Sequence, residues 1–233
     1  MASYNGERFI HQQIESILIQ IGESDELVIS DDGSLDNTVE IIRSFDDPRI
    51  KLFSNEGEKG YVGNFLNAVN NSIGDIVYFS DQDDVWHPDK IADTVFFFDL
   101  YDMVVHDSII VDENLCIVKD SYFDFRGTRQ GFFKNFLKFG YLGCQVAFKR
   151  SLYKSSLPFP PRYDLVTHDA WICLFAEFGF KVKLVKKPLI LYRRHDSNAS
   201  KGGHSSISDI WKKVLIRVYV LYFILKRSSK RGR

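Results

Sequence analysis

An α/β fold, with a mostly parallel central sheet and helices on both faces, is predicted by two features of the sequence. Short β-branched runs alternate with amphipathic helical stretches, and two of those runs end in clusters of carboxylates. Sheets of this kind bind ligands at the carboxyl ends of their strands. Asp31-Asp32 and Asp81 to Asp84 stand at two such ends, so both clusters are expected to face one cleft.

Taken in order, Phe9, Ile10, Ile14, Ile17, Leu18 and Ile21 recur at helical spacing, which predicts an amphipathic helix over residues 7–21, entered from the Asn5-Gly6 turn. Leu27-Val28-Ile29-Ser30 reads as a buried strand that stops at Asp31-Asp32-Gly33-Ser34, and a helix follows through Val39, Ile41, Ile42 and Phe45. Strand, acidic glycine turn and helix open a βαβ unit. A strand over residues 50–53 leads through the glycine-rich loop 57–63 into a helix over 64–71, and the apolar strand 76–80 then carries the second acid cluster. The second half is less regular. Strands are expected at 103–105, 108–111 and 146–149, a helix at 132–139, and another opening at His168-Asp169-Ala170-Trp171. Ile190-Leu191-Tyr192 ends in the polar run Arg193-Arg194-His195-Asp196-Ser197-Asn198.

One domain over residues 1–205 is expected, with a nucleotide-binding half at 1–100 and an acceptor-binding half at 101–205, followed by an amphipathic basic helix and tail at 206–233. In that last segment Trp211, Val214, Leu215, Val218, Tyr222 and Leu225 share one face, while Lys212, Lys213 and Arg217 lie off it. The apolar run is too short, and too interrupted by Arg217, to span a bilayer. Two readings are open: a helix lying on an anionic membrane surface, or a terminal helix packed on its own domain.

A composition of 45% hydrophobic and 26% charged residues excludes a disordered or membrane-spanning chain, and a net charge of -1 gives no overall attraction to nucleic acid. Cys116, Cys144 and Cys173 lie far apart with no C-x-x-C pair, so neither a zinc knuckle nor a disulfide framework is indicated. No apolar signal segment follows Met1-Ala2-Ser3-Tyr4. The expectation is a protein of the reducing cytoplasm.

The acids of Asp81-Gln82-Asp83-Asp84 repel one another unless a cation or water compensates them. On an extended backbone Asp81 and Asp83 point the same way and could hold one hard divalent ion, Mg²⁺ or Mn²⁺, leaving positions free for the oxygens of a diphosphate. The alternative is a solvated acidic turn with Asp84 capping a helix that starts at Pro88.

Four motifs in this order, Ser3-Tyr4-Asn5-Gly6, Ser30-Asp31-Asp32-Gly33-Ser34-Leu35-Asp36, Ser80-Asp81-Gln82-Asp83-Asp84-Val85-Trp86 and His168-Asp169-Ala170-Trp171, resemble family 2 glycosyltransferases of the GT-A fold. The Asp-Gln-Asp-Asp-Val-Trp form is similar to bacterial enzymes of surface polysaccharide synthesis, rhamnosyltransferases among them. The resemblance implies an inverting, metal-dependent transfer from a UDP- or dTDP-sugar, such as dTDP-rhamnose, to a glycan acceptor, lipid-linked at the inner face of the cell membrane. It implies that Tyr4 stacks on the pyrimidine and that Asp31 accepts its N3–H, with Asp32 and Asn64 also near the nucleotide. Asp83 is implied as principal metal ligand, with Asp81 by the ribose and metal. Asp169 is implied as general base, its alternative being a helix cap. His195, with Arg194 and Asn198, resembles the late His-x-x-Asn loop that closes over the diphosphate, His195 also meeting the metal. Trp86, Trp171 and His168 are implied around the acceptor pocket, with core packing the other reading for the tryptophans.

In that family an apolar strand precedes the Ser-Tyr-Asn-Gly turn, and here no room for it is expected before Ser3. Such a gap would leave backbone unpaired, and a chain extended upstream would be more stable. A catalytically silent nucleotide-sugar binder is therefore one rival. A haloacid-dehalogenase-like phosphatase is another, because Asp81 to Val85 also fits D-x-D-x-[TV] with Asp81 as nucleophile. An EF-hand is excluded by Val85 and Ala92, which stand where ligands are needed, and a dinucleotide dehydrogenase by the lack of G-x-G-x-x-G.

Overall fold

The computed structural model of the protein describes residues 1–196 and 207–231. A small parallel sheet is built from β1 (Ala2–Ser3), β2 (Leu27–Asp31) and β3 (Ile50–Ser54) in the order β1-β2-β3. Each residue of β2 is buried, as expected of a strand covered on both faces. The intervening helices are α1 (Ile10–Leu18), α2 (Thr38–Ser44) and α3 (Tyr61–Asn71). The first is shorter than its apolar period, because Gly6 O accepts from both Phe9 N and Ile10 N and the chain turns there before the helix begins.

The strand expected to be missing is shortened rather than absent. Ala2 and Ser3 pair with Ser30 and Asp31. Ser30 N also donates to Met1 O, and the Met1 amine donates to Val28 O at 2.7 Å. These contacts satisfy the edge of β2 where it approaches the acid turn. Burial pushes the Met1 amine down to about 5.

The second sheet runs β4 (Ile76–Tyr78), β8 (Val146–Lys149), β6 (Met103–Val111), β9 (Val182–Arg193), β5 (Val85–Trp86), with β7 (Ile117–Lys119) on β6. Parallel pairing here is confined to β6 and β9; β4 does not extend the first sheet but pairs antiparallel with β8. The apolar run of β4 fits either neighbour, and chain connection alone does not choose between them. Strands expected at 103–105 and 108–111 form one strand, β6. Its register shifts around Asp107, whose carboxylate accepts from Ser108 N, Phe123 N and Ser121 Oγ. Strands from before and after residue 100 interleave in this sheet, so the two expected halves share one framework.

On one face α3, α6 (Arg150–Ser156) and α7 (His168–Gly179) bury Phe65, Phe79, Phe148, Leu152, Trp171 and Phe175 together. The helices α4 (Tyr122–Arg126) and α5 (Phe132–Leu137) complete that side. The last helix, α8 (Ile207–Arg231), seats Val220 and Ile224 in this core. Arg217 Nε donates to Phe136 O at 3.1 Å, and Arg227 donates to Pro158 O at 2.6 Å. Its opposite face carries the apolar set expected from the sequence: Trp211, Val214, Leu215, Val218, Tyr222 and Leu225 are 43 to 73% exposed. Among the described residues no helix is long and apolar enough to cross a membrane.

Candidate active site

The two acid turns meet through side-chain hydrogen bonds. Ser3, the last residue of β1, donates from Oγ to Asp31 Oδ1 at 2.9 Å. Next to it, Tyr4 N donates to Gln82 Oε1 at 2.8 Å, and Gln82 Nε2 donates back to Tyr4 O at 2.9 Å. From α1, Gln13 Nε2 donates to Ser80 Oγ and to Asp81 O. The turns that carry Asp31 and Asp83 are thus tied together through Ser3, Tyr4 and Gln82.

The carboxylates do different work. Asp31 is buried, and its two oxygens accept four hydrogen bonds, from Ser3 Oγ, Ser34 Oγ, Gly33 N and Ser34 N. A carboxylate offers about four acceptor positions, so these partners occupy it. Asp31, expected at the pyrimidine, here braces the turn. Asp32 accepts one bond at each oxygen, from Asn55 Nδ2 and Gly60 N, both at 2.7 Å. It keeps acceptor capacity. Asn64, expected at the nucleotide, is buried beneath it and donates to Ser3 O at 2.9 Å. Tyr4, by contrast, is 52% exposed at the cleft.

In the second turn Asp83 Oδ2 lies 2.9 Å from His195 Nε2, whose ring packs on Phe9 with centroids 4.8 Å apart. Asp81 is partly buried, and loss of water together with the charges of Asp83 and Asp169 pushes its carboxyl up to about 7. Asp84 is fully buried, so the helix-cap reading fails: its Oδ1 accepts Arg193 N at 2.9 Å, and β5 rather than a helix follows. Burial and the neighbouring acids push the Asp84 carboxyl up as well. Oxygens of Asp81 and Asp84 and the Cys144 sulfur lie within 4.8 Å of one another. Next to them is the buried Lys90, whose Nζ donates to Cys144 O at 2.9 Å and sits 4.0 Å over the Trp86 ring. Burial pulls its ammonium down to about 7 while Asp84 and Asp81 hold it up. Lys90 thus brings a basic group within electrostatic reach of both acids at the deep end of the cluster.

Asp169 stands in the first turn of α7, where Thr167 is the N-cap residue. Its Oδ1 receives the Thr167 hydroxyl and Ala170 N. Its Oδ2 faces Gly143, where an added Cβ would come within 3.7 Å. The charge of Asp169 acts on both Asp81 and Tyr61. The carboxylate is therefore within electrostatic reach of the second acid turn.

Other expectations are corrected. Trp171 is fully buried, with its indole N–H on Ser156 O, and Trp86 is buried under Lys90; neither can wall an acceptor pocket. His168 is buried too, stacked on Phe65 with centroids 4.0 Å apart, and burial pulls its imidazole down to about 4. Arg194 is exposed and donates its N–H to Val111 O. Its neighbour Arg193 is buried and donates to Asp83 O, Glu113 O and Gln12 Oε1 at 2.6 to 2.7 Å. Asn198 lies outside the described residues. Gln82, Gln13, Arg193 and Lys90 escaped the sequence reading, because no local pattern marks a buried polar residue whose partners are far along the chain. Asp81 ends a strand paired with antiparallel β8, not a central parallel strand, and the phosphatase alternative loses its basis.

The sequence profile of Glycosyl transferase family 2 matches residues 1–157. The chain belongs to this family. Among curated glycosyltransferases, it is similar to the dTDP-rhamnosyl transferase RfbG of Shigella flexneri, 26% identical over 238 residues, covering 92% of this chain and 78% of the relative. It is also similar to the Escherichia coli UDP-Glc:alpha-D-GlcNAc-diphosphoundecaprenol beta-1,3-glucosyltransferase WfgD, 34% identical over 119 residues, covering 47% of each. In fold this family 2 chain matches Staphylococcus aureus TarS 1-349 in complex with UDP-GlcNAc, with a TM-score of 0.72 and 19% identity over 94% of this chain. It spans 65% of that TarS chain. A second match is the Mycobacterium tuberculosis glucosyl-3-phosphoglycerate synthase in complex with Mn²⁺ and UDP-glucose, with a TM-score of 0.59, 20% identity, and coverage of 97% and 76%. The GT-A-type α/β fold is thereby shown.

Proposed function

We propose that this chain is the catalytic module of an inverting glycosyltransferase that moves a sugar from a UDP- or dTDP-sugar to a glycan acceptor. One observation supports the reading most: Gln82 ties the Tyr4 turn to the Asp81 to Asp83 turn, and the charge of Asp169 reaches Asp81. Tyr4 offers an exposed ring to a flat base, and Asp32 retains acceptor capacity for a pyrimidine N3–H. That proton is present in uracil and thymine and absent from cytosine.

The donor set suits Mg²⁺ or Mn²⁺. Asp83 Oδ2 and His195 Nε2 lie 2.9 Å apart, and burial with the charges of Asp83 and Asp169 raises Asp81 to about 7. Asp83, Asp81 and His195 would hold the ion, and the relative crystallised with Mn²⁺ and UDP-glucose supports that reading. When bound, the ion supplies positive charge to the departing diphosphate. The chain's own residues orient donor and acceptor. Asp169 takes the proton of the acceptor hydroxyl while that oxygen bonds to the anomeric carbon; the bond from that carbon to the diphosphate oxygen breaks on the opposite face, inverting the configuration. In this scheme residues 1–100 supply most nucleotide contacts, and the acceptor approaches over residues 101–205.

The acceptor is proposed to be lipid-linked, as the name of WfgD states for that relative. The outward apolar face of α8 supports a site at the membrane surface, on the inner face of the cell membrane. Lys212, Lys213, Lys226 and the following Lys230 and Arg231, with no acid from Ile210 onward, suit anionic lipid. A surface polysaccharide is the product class that RfbG and WfgD suggest.

The deciding experiment follows nucleotide release across UDP- and dTDP-sugars, with a diphosphoundecaprenol-linked acceptor, with and without Mn²⁺. Cation-dependent release on the acceptor is expected. Donor binding without transfer would instead make the chain a silent binder, and release that survives chelation would remove the metal.

A further inference from the structure

Gln82 lies between two carboxylates but contacts neither turn's ligand positions; its amide is spent on the backbone of Tyr4. The N–H of Tyr4 donates to Oε1 at 2.8 Å and its carbonyl accepts from Nε2 at 2.9 Å. Both backbone groups of the residue bearing the cleft's exposed ring are thus held by one side chain, 78 positions away. Gly6 completes the seat, because a Cβ there would stand 2.3 Å from Gln82 Oε1 and 2.5 Å from its Cδ. The intervening Asn5 has φ of 47°, a left-handed bend fixed by Ser34 Oγ on its N–H and by Leu35 N on its side chain.

We infer that Gln82 is a positioning residue that fixes the Tyr4 ring at a set distance from the carboxylates of the neighbouring turn, and so couples recognition of the nucleobase to recognition of the diphosphate. The inference rests on the donor proposed above. An amide suits this seat because it donates and accepts in one plane. Glutamate would set a carboxylate against the Tyr4 carbonyl, and asparagine is one carbon too short. A ring free to wander must be ordered when the nucleotide binds, and the clamp removes that loss in advance.

Titration calorimetry in saturating Mn²⁺ tests this on the whole chain, with UDP and inorganic diphosphate as probes. Gln82→Ala and Gln82→Glu are each expected to weaken UDP about tenfold, the scale of two lost hydrogen bonds, and to leave diphosphate within about twofold. Gly6→Ala, which displaces the Gln82 amide and leaves Asp81, Asp83 and Asp84 unsubstituted, is expected to do the same. Adding Gln82→Ala to Tyr4→Ala is expected to lose little more than Tyr4→Ala alone, since both act through one ring. Equal losses for UDP and diphosphate, fully additive losses with Tyr4→Ala, or unchanged UDP affinity in folded Gln82→Ala would each overturn the inference. If the native chain binds neither UDP nor dTDP, the donor reading fails and this inference falls with it.

Discussion

At Asp169 and Asp83 the same side-chain type meets two different demands. Asp169 has one oxygen held by Thr167 and Ala170 N and the other turned toward Gly143 and the cleft, so its removal should touch turnover rather than donor binding. Asp169→Asn is expected to keep UDP affinity within about twofold and to lower kcat by at least ~10²-fold, the usual scale for a general base. Asp83→Ala should do the reverse in binding: Mn²⁺-dependent UDP affinity falls at least tenfold by calorimetry, while UDP alone changes little. His168 reports on pH. Its imidazole, pulled from 6.5 to about 4 by burial against Phe65, must stay neutral in the folded chain. A base with a lowered folded pKa contributes stability above 6.5 that is lost as pH falls toward 4, here roughly 3 kcal/mol. Urea unfolding should show that loss in the native chain and a flatter profile in His168→Gln.

Among the elements, α8 inverts the usual arrangement of a surface helix. One apolar stripe, Val220 and Ile224, is docked in the core, and the opposite stripe of Trp211, Leu215, Val218 and Tyr222 faces solvent. Of the two readings drawn from its periodicity, packing on its own domain is what Val220 and Ile224 do, and the exposed stripe is the face the membrane proposal uses. Replacing Trp211, Leu215 and Tyr222 together by Ser is expected to cut sedimentation with phosphatidylglycerol vesicles at least fivefold and to shift Tm by no more than about 2 °C, because these side chains are exposed. Unchanged sedimentation would assign the face to another partner. The short β1 makes a complementary point. Ala2 and Ser3 pair with Ser30 and Asp31 at the end of β2 nearest the acid turn, so the turn's neighbour is held in place there.

Over the whole molecule, the cleft lies where a parallel sheet of three strands abuts a mixed sheet of six, and side chains rather than a shared ladder join them. Ligands that bridge the join should therefore stabilise the chain together more than separately: Mn²⁺ with UDP is expected to raise Tm by several degrees more than the sum of each alone. Much of this was legible beforehand. The period of α1, the strand at Leu27–Asp31 and the acid turns follow from local residue order, because backbone propensity and burial pattern act over a few positions. That locality also explains what was not legible. Whether β4 joins β3 or β8 and whether Trp171 lines a pocket or fills the core depend on neighbours brought from distant positions. Alone, the sequence determined the alternation of elements, the placing of acids at strand ends and the family motifs. Only the tertiary structure decided that Gln82 clasps the backbone of Tyr4, that Arg193 N meets Asp84 and that Lys90 is buried on Cys144 O, because each of those outcomes is a contact between segments that carry no mutual signal in the chain.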